Sequence, residues 1–189
     1  MPSVSRISFE VTAVPGLMVV RPQVFVDARG SFTKLFTDEA FSAAGLATSF
    51  AEEYRTRSAR GVVRGMHFQL PPLDHEKLVF CSEGEVLDVV LDLRRGSPTF
   101  GQALTFHLSA PTGYGLYIPV GCAHGFCSLS EQSTLEYRVT GVYSPTHDAG
   151  ILWSSLDVDW PVAEPIVSAR DTTFPELDGF VSPFVFAGA

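Results

Sequence analysis

The sequence predicts an all-β fold, a sandwich or barrel of short strands with little helix around it. Three observations carry that prediction. From Ser49 onward, segments with strand character recur at the roughly 8–12-residue spacing typical of sandwiches and barrels, with turn material between them. The 15 phenylalanines suit pleated, half-buried strands, and the 13 prolines and 16 glycines supply turns. With 189 residues and 46% hydrophobic content, the chain is long enough for one substantial core and short for two.

Taken in order, residues 4–12 (VSRISFEVT) alternate loosely and predict a strand. Pro15-Gly16 turns the chain, and Leu17–Val20 begins another strand. VFVDARGSFTKLF reads as strand, turn at Asp27-Ala28-Arg29-Gly30, and strand. Thr37-Asp38 forms an N-cap pair and Gly45 a C′ stop, which brackets one helix of about two turns. Strands are then expected over 50–57, 62–69, 77–82, 85–93, 102–108, 114–118, 124–129 and 134–143. VLDVVLDLR alternates less cleanly than the others, as a strand covered on both faces does. Asp88 and Asp92 fall on the same side of it, as pocket wall or as buried hydrogen-bonding groups. Arg94-Arg95 and Glu52-Glu53 read by default as solvated charge. After Pro145 the pattern fades into loops and a weak helix or extended tail. The expected organisation is a single domain over 1–189, with its core at about 20–145 and a loop-rich extension over 146–189. Phe180, Val181, Phe184, Val185 and Phe186 in that extension call for cover, from the chain's own core or from a partner subunit.

The formal net charge of −8 lacks the basic footprint of a nucleic-acid-binding protein. A small anionic ligand stays compatible, because a pocket needs only two or three local cations. Lysine occurs only as Lys34 and Lys77. The three cysteines, Cys81, Cys122 and Cys127, form no CxxC pair and read as buried free thiols in a reducing compartment. No apolar run is long enough to span a bilayer, and no signal-peptide pattern is visible, so the expected location is the cytoplasm, without a membrane partner.

The chemistry concentrates in Gly61–Gly84, GVVRGMHFQLPPLDHEKLVFCSEG. His67 lies in an extended apolar segment, with Arg64 three residues before it and Lys77 ten residues after it. Histidine moves protons near neutral pH, and a fixed lysine holds an oxyanion or a phosphate. Two patterns frame this stretch: Gly61, five residues, His67, one residue, Gln69; and Gly113, five residues, Pro119, one residue, Gly121, two residues, His124. They resemble the paired motifs of the cupin superfamily, which implies a jelly-roll barrel with short peripheral helices. Gln69 stands where metal-binding cupins place a second histidine. Only His67 and His124 remain as natural ligands, so no metal site is expected.

RGVVRGMHFQ, EKLVFCSEGEVLDVVLDLRRGSPTFGQ, IPVGCAHGF, LEYRVTGVYSP and ILW together resemble the dTDP-4-dehydrorhamnose 3,5-epimerase family. DARGSF and PIVSARD extend the likeness over about residues 20–175. The resemblance implies an epimerase acting on a nucleotide-diphospho-4-keto-6-deoxysugar in deoxysugar biosynthesis, with no cofactor. The C4 carbonyl acidifies C3 and C5, a base forms the enolate, and reprotonation from the opposite face inverts the carbon. On matching positions His67 is the base, Asp171 its orienting carboxylate, Lys77 the cation at the carbonyl oxygen and Tyr137 the acid on the far face. Arg64 and Arg29 match arginines that hold the sugar nucleotide. Gln69, Tyr143, Arg55, Glu53 and His124 complete the expected substrate side. The resemblance also implies a homodimer in which the N-terminal region, Arg29 included, reaches the neighbouring site.

Two segments depart from the family pattern. Glu52-Glu53-Tyr54-Arg55 replaces a Gln-Asp-Asn-His-like run, and Lys34 replaces a frequent Glu. These changes leave open whether the nucleotide is dTDP or CDP, and whether C3, C5 or both are inverted, a C3 mono-epimerase included. The rival readings are a sugar-nucleotide 3,4-ketoisomerase, a non-catalytic sugar-binding cupin and a metal-dependent cupin oxygenase.

Overall fold

The structure, a computed structural model, describes residues 6–188, so Val4 and Ser5 of the first expected strand lie outside the described residues. Among the described residues there are thirteen strands: β1 Ile7–Val11, β2 Met18–Pro22, β3 Val24–Asp27, β4 Gly30–Thr33, β5 Glu52–Ala59, β6 Val63–Gln69, β7 Lys77–Glu83, β8 Glu85–Asp92, β9 Ala103–Ser109, β10 Gly115–Ile118, β11 Cys122–Ser128, β12 Gln132–Val139 and β13 Asp148–Gly150. They form a six-stranded sheet, β1-β2-β10-β7-β12-β5, facing a five-stranded sheet, β13-β6-β11-β8-β9. β3 and β4 pair as a separate hairpin. This is the jelly-roll architecture. The last long strand stops at Val139, short of the expected 143, because Thr140 to Thr146 turn the chain toward β13.

The one α-helix, α1 Asp38–Ala43, begins where the cap predicts, with Thr37 Oγ1 accepting the Ala40 N–H at 3.2 Å. Gly45 follows it at φ 72°, a left-handed conformation that suits glycine. The helix supplies Phe41 to a cluster with Val20, Leu78, Phe80 and Tyr117 on the outer face of the six-stranded sheet. A second cluster fills the space between the sheets, where Val86 and Val90 of β8 meet Val79, Leu116 and Leu135. Val89 and Leu91 point the other way into a third cluster with Met66, Phe68 and Ile151. β8 is therefore apolar on both faces, which explains its weak alternation.

The C-terminal extension covers that outer face. Phe184 is buried and Phe180 packs beside it, each meeting Phe68 edge-on. Phe186 lies against the Arg94 guanidinium, and Val181 and Val185 project outward. The apolar tail thus docks mainly on its own core, with every second side chain left outside. Ser182 Oγ fastens it by donating to the Leu93 carbonyl at 2.5 Å. Among the described residues no helix is long and apolar enough to cross a membrane.

Arg94 corrects the expectation of a solvated charge: it is buried because Nε and NH2 donate to Asp92 at 2.8 and 2.9 Å. Ser97 and Thr99 also donate to that carboxylate, which gives Asp92 a buried hydrogen-bonding role. Cys81, Cys122 and Cys127 are free and buried. Removing the tail's anchor, Phe184→Ala, is expected to cost about 3 kcal/mol of unfolding free energy, while Val185→Ala stays within about 0.5 kcal/mol. Urea denaturation of the two variants measures the difference.

Candidate active site

Strand alternation brings side chains from six strands, β5, β6, β7, β11, β12 and β13, to one end of the barrel interior. On β6, Met66 and Phe68 face outward into the core behind the sheet, so His67 and Gln69 face inward. On β7 the same rule turns Lys77 inward, and on β12 it turns Tyr137 and Val139. The register places His67 directly opposite His124, Lys77 opposite Val139, and Tyr137 opposite Tyr54. Together they wall a cavity of about 470 Å³ whose lining includes Glu52, Thr56, Arg64, Tyr143, Asp148 and Arg170.

His67 is braced from the C-terminal extension. Its Nε2 lies 2.9 Å from Asp171 Oδ1, and the other oxygen of Asp171 accepts the Gly65 N–H at 3.1 Å. Glycine is required at 65 because φ is 127° and a Cβ would lie 2.5 Å from the Cα of Gly125 on β11. Arg170 Nε also donates to Asp171 Oδ1, at 3.1 Å, while its NH1 pairs with Asp148. The NH2 of the same guanidinium lies 2.6 Å from His67 Nε2. One ring nitrogen cannot serve both neighbours: with its proton it donates to Asp171, without it Nε2 accepts from Arg170. The Phe174 ring closes the far side of the imidazole, edge-on at 5.7 Å.

Burial pushes His67 below its ordinary 6.5, with Asp171 pulling the other way and Arg170 and Lys77 adding to the depression. Burial alone raises Asp171, but the hydrogen bond and charge of His67, the Gly65 N–H and Arg170 outweigh it and hold the carboxyl below the usual range. Lys77 is 7% exposed and donates from Nζ to the His67 carbonyl at 3.0 Å. Burial lowers it to about 8, against the pull of Asp148 and Asp88. Tyr137 is held well above 10, first by burial and then by the charge of Asp88. It is a neutral proton donor across the physiological range.

His124 is buried, and its Nε2 contacts both oxygens of Asp88 at 2.9 and 2.8 Å. The open question over Asp88 resolves as a buried pair beneath the cavity floor. Gln69 spends its amide on the protein: Nε2 donates to the carbonyls of Leu73 and Val142, and Oε1 accepts the Ser144 N–H. Arg64 Nε donates to Ser58 Oγ at 3.0 Å, and Tyr143 is half exposed at the cavity edge.

Three expected substrate-side residues are not brought to this cavity. Glu53 and Arg55 alternate with Glu52, Tyr54 and Thr56 on β5 and therefore point outward, Glu53 onto Arg138. Arg29 projects from the β3–β4 turn, its side chain 90% exposed and paired only with Asp27. Glu52, expected in solvent, instead lines the cavity and accepts the Tyr143 N–H. Sequence reasoning missed Arg170 and Asp148, and reached Tyr54 only as a member of the run Glu52 to Arg55. Arg170 adjoins Asp171 inside SARD, and the period of β5 alone selects Tyr54 over its neighbours. Thr56 Oγ1 is buried in the wall beside Tyr137 without a hydrogen-bond partner. Among the described residues no group of three or more His, Cys, Asp or Glu is placed to hold a metal ion.

The model of the dTDP-4-dehydrorhamnose 3,5-epimerase family matches residues 11–179. The chain belongs to that family. The dTDP-4-dehydrorhamnose 3,5-epimerase of Pseudomonas aeruginosa is 43% identical over 175 residues, covering 89% of this chain and 96% of that one. The crystal structure of dTDP-6-deoxy-D-glucose-3,5-epimerase from Legionella pneumophila, in complex with dTDP-4-keto-L-rhamnose, superposes with a TM-score of 0.91 at 31% identity, covering 97% and 100% of the two chains. NovW, a 4-keto-6-deoxy sugar epimerase from the novobiocin biosynthetic gene cluster of Streptomyces spheroides, gives a TM-score of 0.89 at 34% identity, covering 94% of this chain and 91% of that one.

Because Asp171 raises the His67 pKa, Asp171→Asn is expected to lower it further. An NMR titration of the imidazole in both proteins reads the shift.

Proposed function

We propose that this family member epimerises a nucleotide-diphospho-4-keto-6-deoxysugar through an enolate, with His67 as base, Asp171 as its brace, Lys77 as the cation at the C4 oxygen and Tyr137 as the acid. The observation that carries the reading is the common cavity: a braced imidazole, a buried ammonium and a buried neutral phenol line one space. The C4 carbonyl withdraws electrons from the neighbouring C–H bond. His67 takes that proton, and the electron pair moves onto the carbonyl oxygen beside Lys77. Tyr137 then returns a proton to the same carbon from the other face, and exchange with water resets both side chains. No electrons leave the substrate.

The Arg170 contact fits this scheme. An anionic substrate draws the guanidinium away, which releases His67 Nε2 to donate to Asp171 and leaves Nδ1 as the basic nitrogen. Arg64 supplies a second cation at the cavity wall. Arg29 completes the site in a homodimer, carried into the neighbouring cavity by the β3–β4 hairpin. Its support is the exposure of Val26 and Phe32 on that hairpin, apolar side chains that a partner would cover.

Incubation with dTDP- or CDP-4-keto-6-deoxyglucose in deuterated buffer is expected to place deuterium on ring carbon beside an intact ketone, and His67→Ala to abolish it. A retained ligand without exchange would leave only a binding protein. The kcat/KM profile should fall below an acid limb under pH 6.5, where His67 is protonated, and above an alkaline limb near pH 8, where Lys77 loses its charge. Lys77→Arg, permanently charged, should move the alkaline limb upward at reduced maximal rate. Mixing inactive Arg29→Ala and His67→Ala subunits should restore activity, because one site of the mixed dimer then receives both native residues; no recovery would refute the arrangement in trans.

A further inference from the structure

Tyr54 has no part in the proton transfers above, yet its ring lies flat against that of the acid. The β5–β12 register sets it directly opposite Tyr137, and the two rings stack with centroids 4.8 Å apart and planes 14° from parallel. On another side the Tyr137 ring meets the His124 imidazole, centroids 5.9 Å apart at 69°. His124 cannot yield, because Asp88 holds its Nε2 through both oxygens. Tyr137 is thus clamped between a ring face and a ring edge and is 5% exposed. Tyr54 is 42% exposed and lines the cavity, so it reaches from the acid toward the entering ligand.

A 4-keto sugar offers two acidified carbons, one on each side of the same carbonyl. One base and one acid serve both only if the phenol or the sugar re-seats between the two inversions. Swinging the Tyr137 hydroxyl from one carbon to the other rotates its ring, and rotation breaks the stack on Tyr54. We propose that Tyr54 is a positioning residue that confines Tyr137 to one orientation and thereby restricts inversion to a single carbon of the sugar ring. The proposal rests on the epimerase reading of the same cavity.

Deuterium incorporation at C3 and C5, resolved by NMR with dTDP- or CDP-4-keto-6-deoxyglucose, tests it. The unaltered protein should label one carbon at least about tenfold faster than the other. Tyr54→Phe keeps the stack and should keep that ratio. Tyr54→Ala and Tyr54→Leu both remove the flat face and should bring the ratio down about tenfold, the leucine still covering the strand if the alanine variant folds poorly. A merely structural Tyr54 would slow both positions alike and leave the ratio unchanged, which overturns the proposal. Comparable labelling at both carbons by the unaltered protein also overturns it, while leaving the epimerase reading intact. No labelling at either carbon removes that reading, and this proposal with it.

Discussion

The site depends on one buried carboxylate contributed from outside the barrel. Asp171 belongs to the extension that follows the last strand, yet its two oxygens reach two points of β6, the Gly65 N–H and the His67 imidazole. The reach is possible because β6 has no side chain at 65 and can lie against Gly125 of β11. A carboxylate is costly to bury alone and stable only when its lone pairs are taken. Here the backbone of β6, the imidazole and the Arg170 guanidinium take them. Orientation of His67 and docking of the extension are therefore a single event. Farther along the same extension, Phe180 and Phe184 pack on Phe68 of β6, one residue from His67.

The same economy of charge governs the interior. Lys77 and the Asp88–His124 pair lie below the surface, next to the apolar cluster that fills the space between the sheets. Lys77 rests on the His67 carbonyl without a carboxylate in direct contact, and burial outweighs the more distant charges of Asp148 and Asp88. The phenol of Tyr137 responds in the opposite direction to the same burial, since its charged form is the anion. One dry environment thus makes the ammonium easier and the phenol harder to deprotonate. Both displacements suit an enolate that forms beside one group and is quenched by the other.

The barrel was legible in the sequence because its turns and strand spacing are local properties. Each expected strand from β5 to β12 is present, its ends shifted by a residue or two where caps and neighbours set the limit, except that β12 stops four residues short of 143. The motifs around His67, Lys77 and Tyr137 place these residues on inward positions of three different strands, and period-two alternation says so once one position is fixed. What stayed hidden was long-range. Nothing near Arg94 announces that Asp92, Ser97 and Thr99 will bury it. The contact of Arg170 with His67 joins residues 103 positions apart in the chain, and a basic residue beside an aspartate reads as solvated charge. Glu53 and Arg55 were assigned to the pocket as part of a run, but a strand presents only alternate members of a run to either side.

That last point bears on where selectivity resides. β5 is the edge of the six-stranded sheet, paired on one side only, to β12. Its inward residues meet the cavity and its outward ones meet solvent, so a substitution there changes the wall without disturbing the core between the sheets. The groups to which proton transfer is assigned by our proposal have no such freedom, since β6, β7 and β12 are each flanked by strands on both sides. Altering His67 or Lys77 would strand buried polar partners, whereas exchanging a small amide for Tyr54 adds a ring face against Tyr137 and leaves half of itself in water. An edge strand opposite Tyr137 is the place where the wall of this cavity can be altered at least structural cost. Of the two departures from the family pattern, the run Glu52 to Arg55 falls there, and Lys34 lies elsewhere, between β4 and α1.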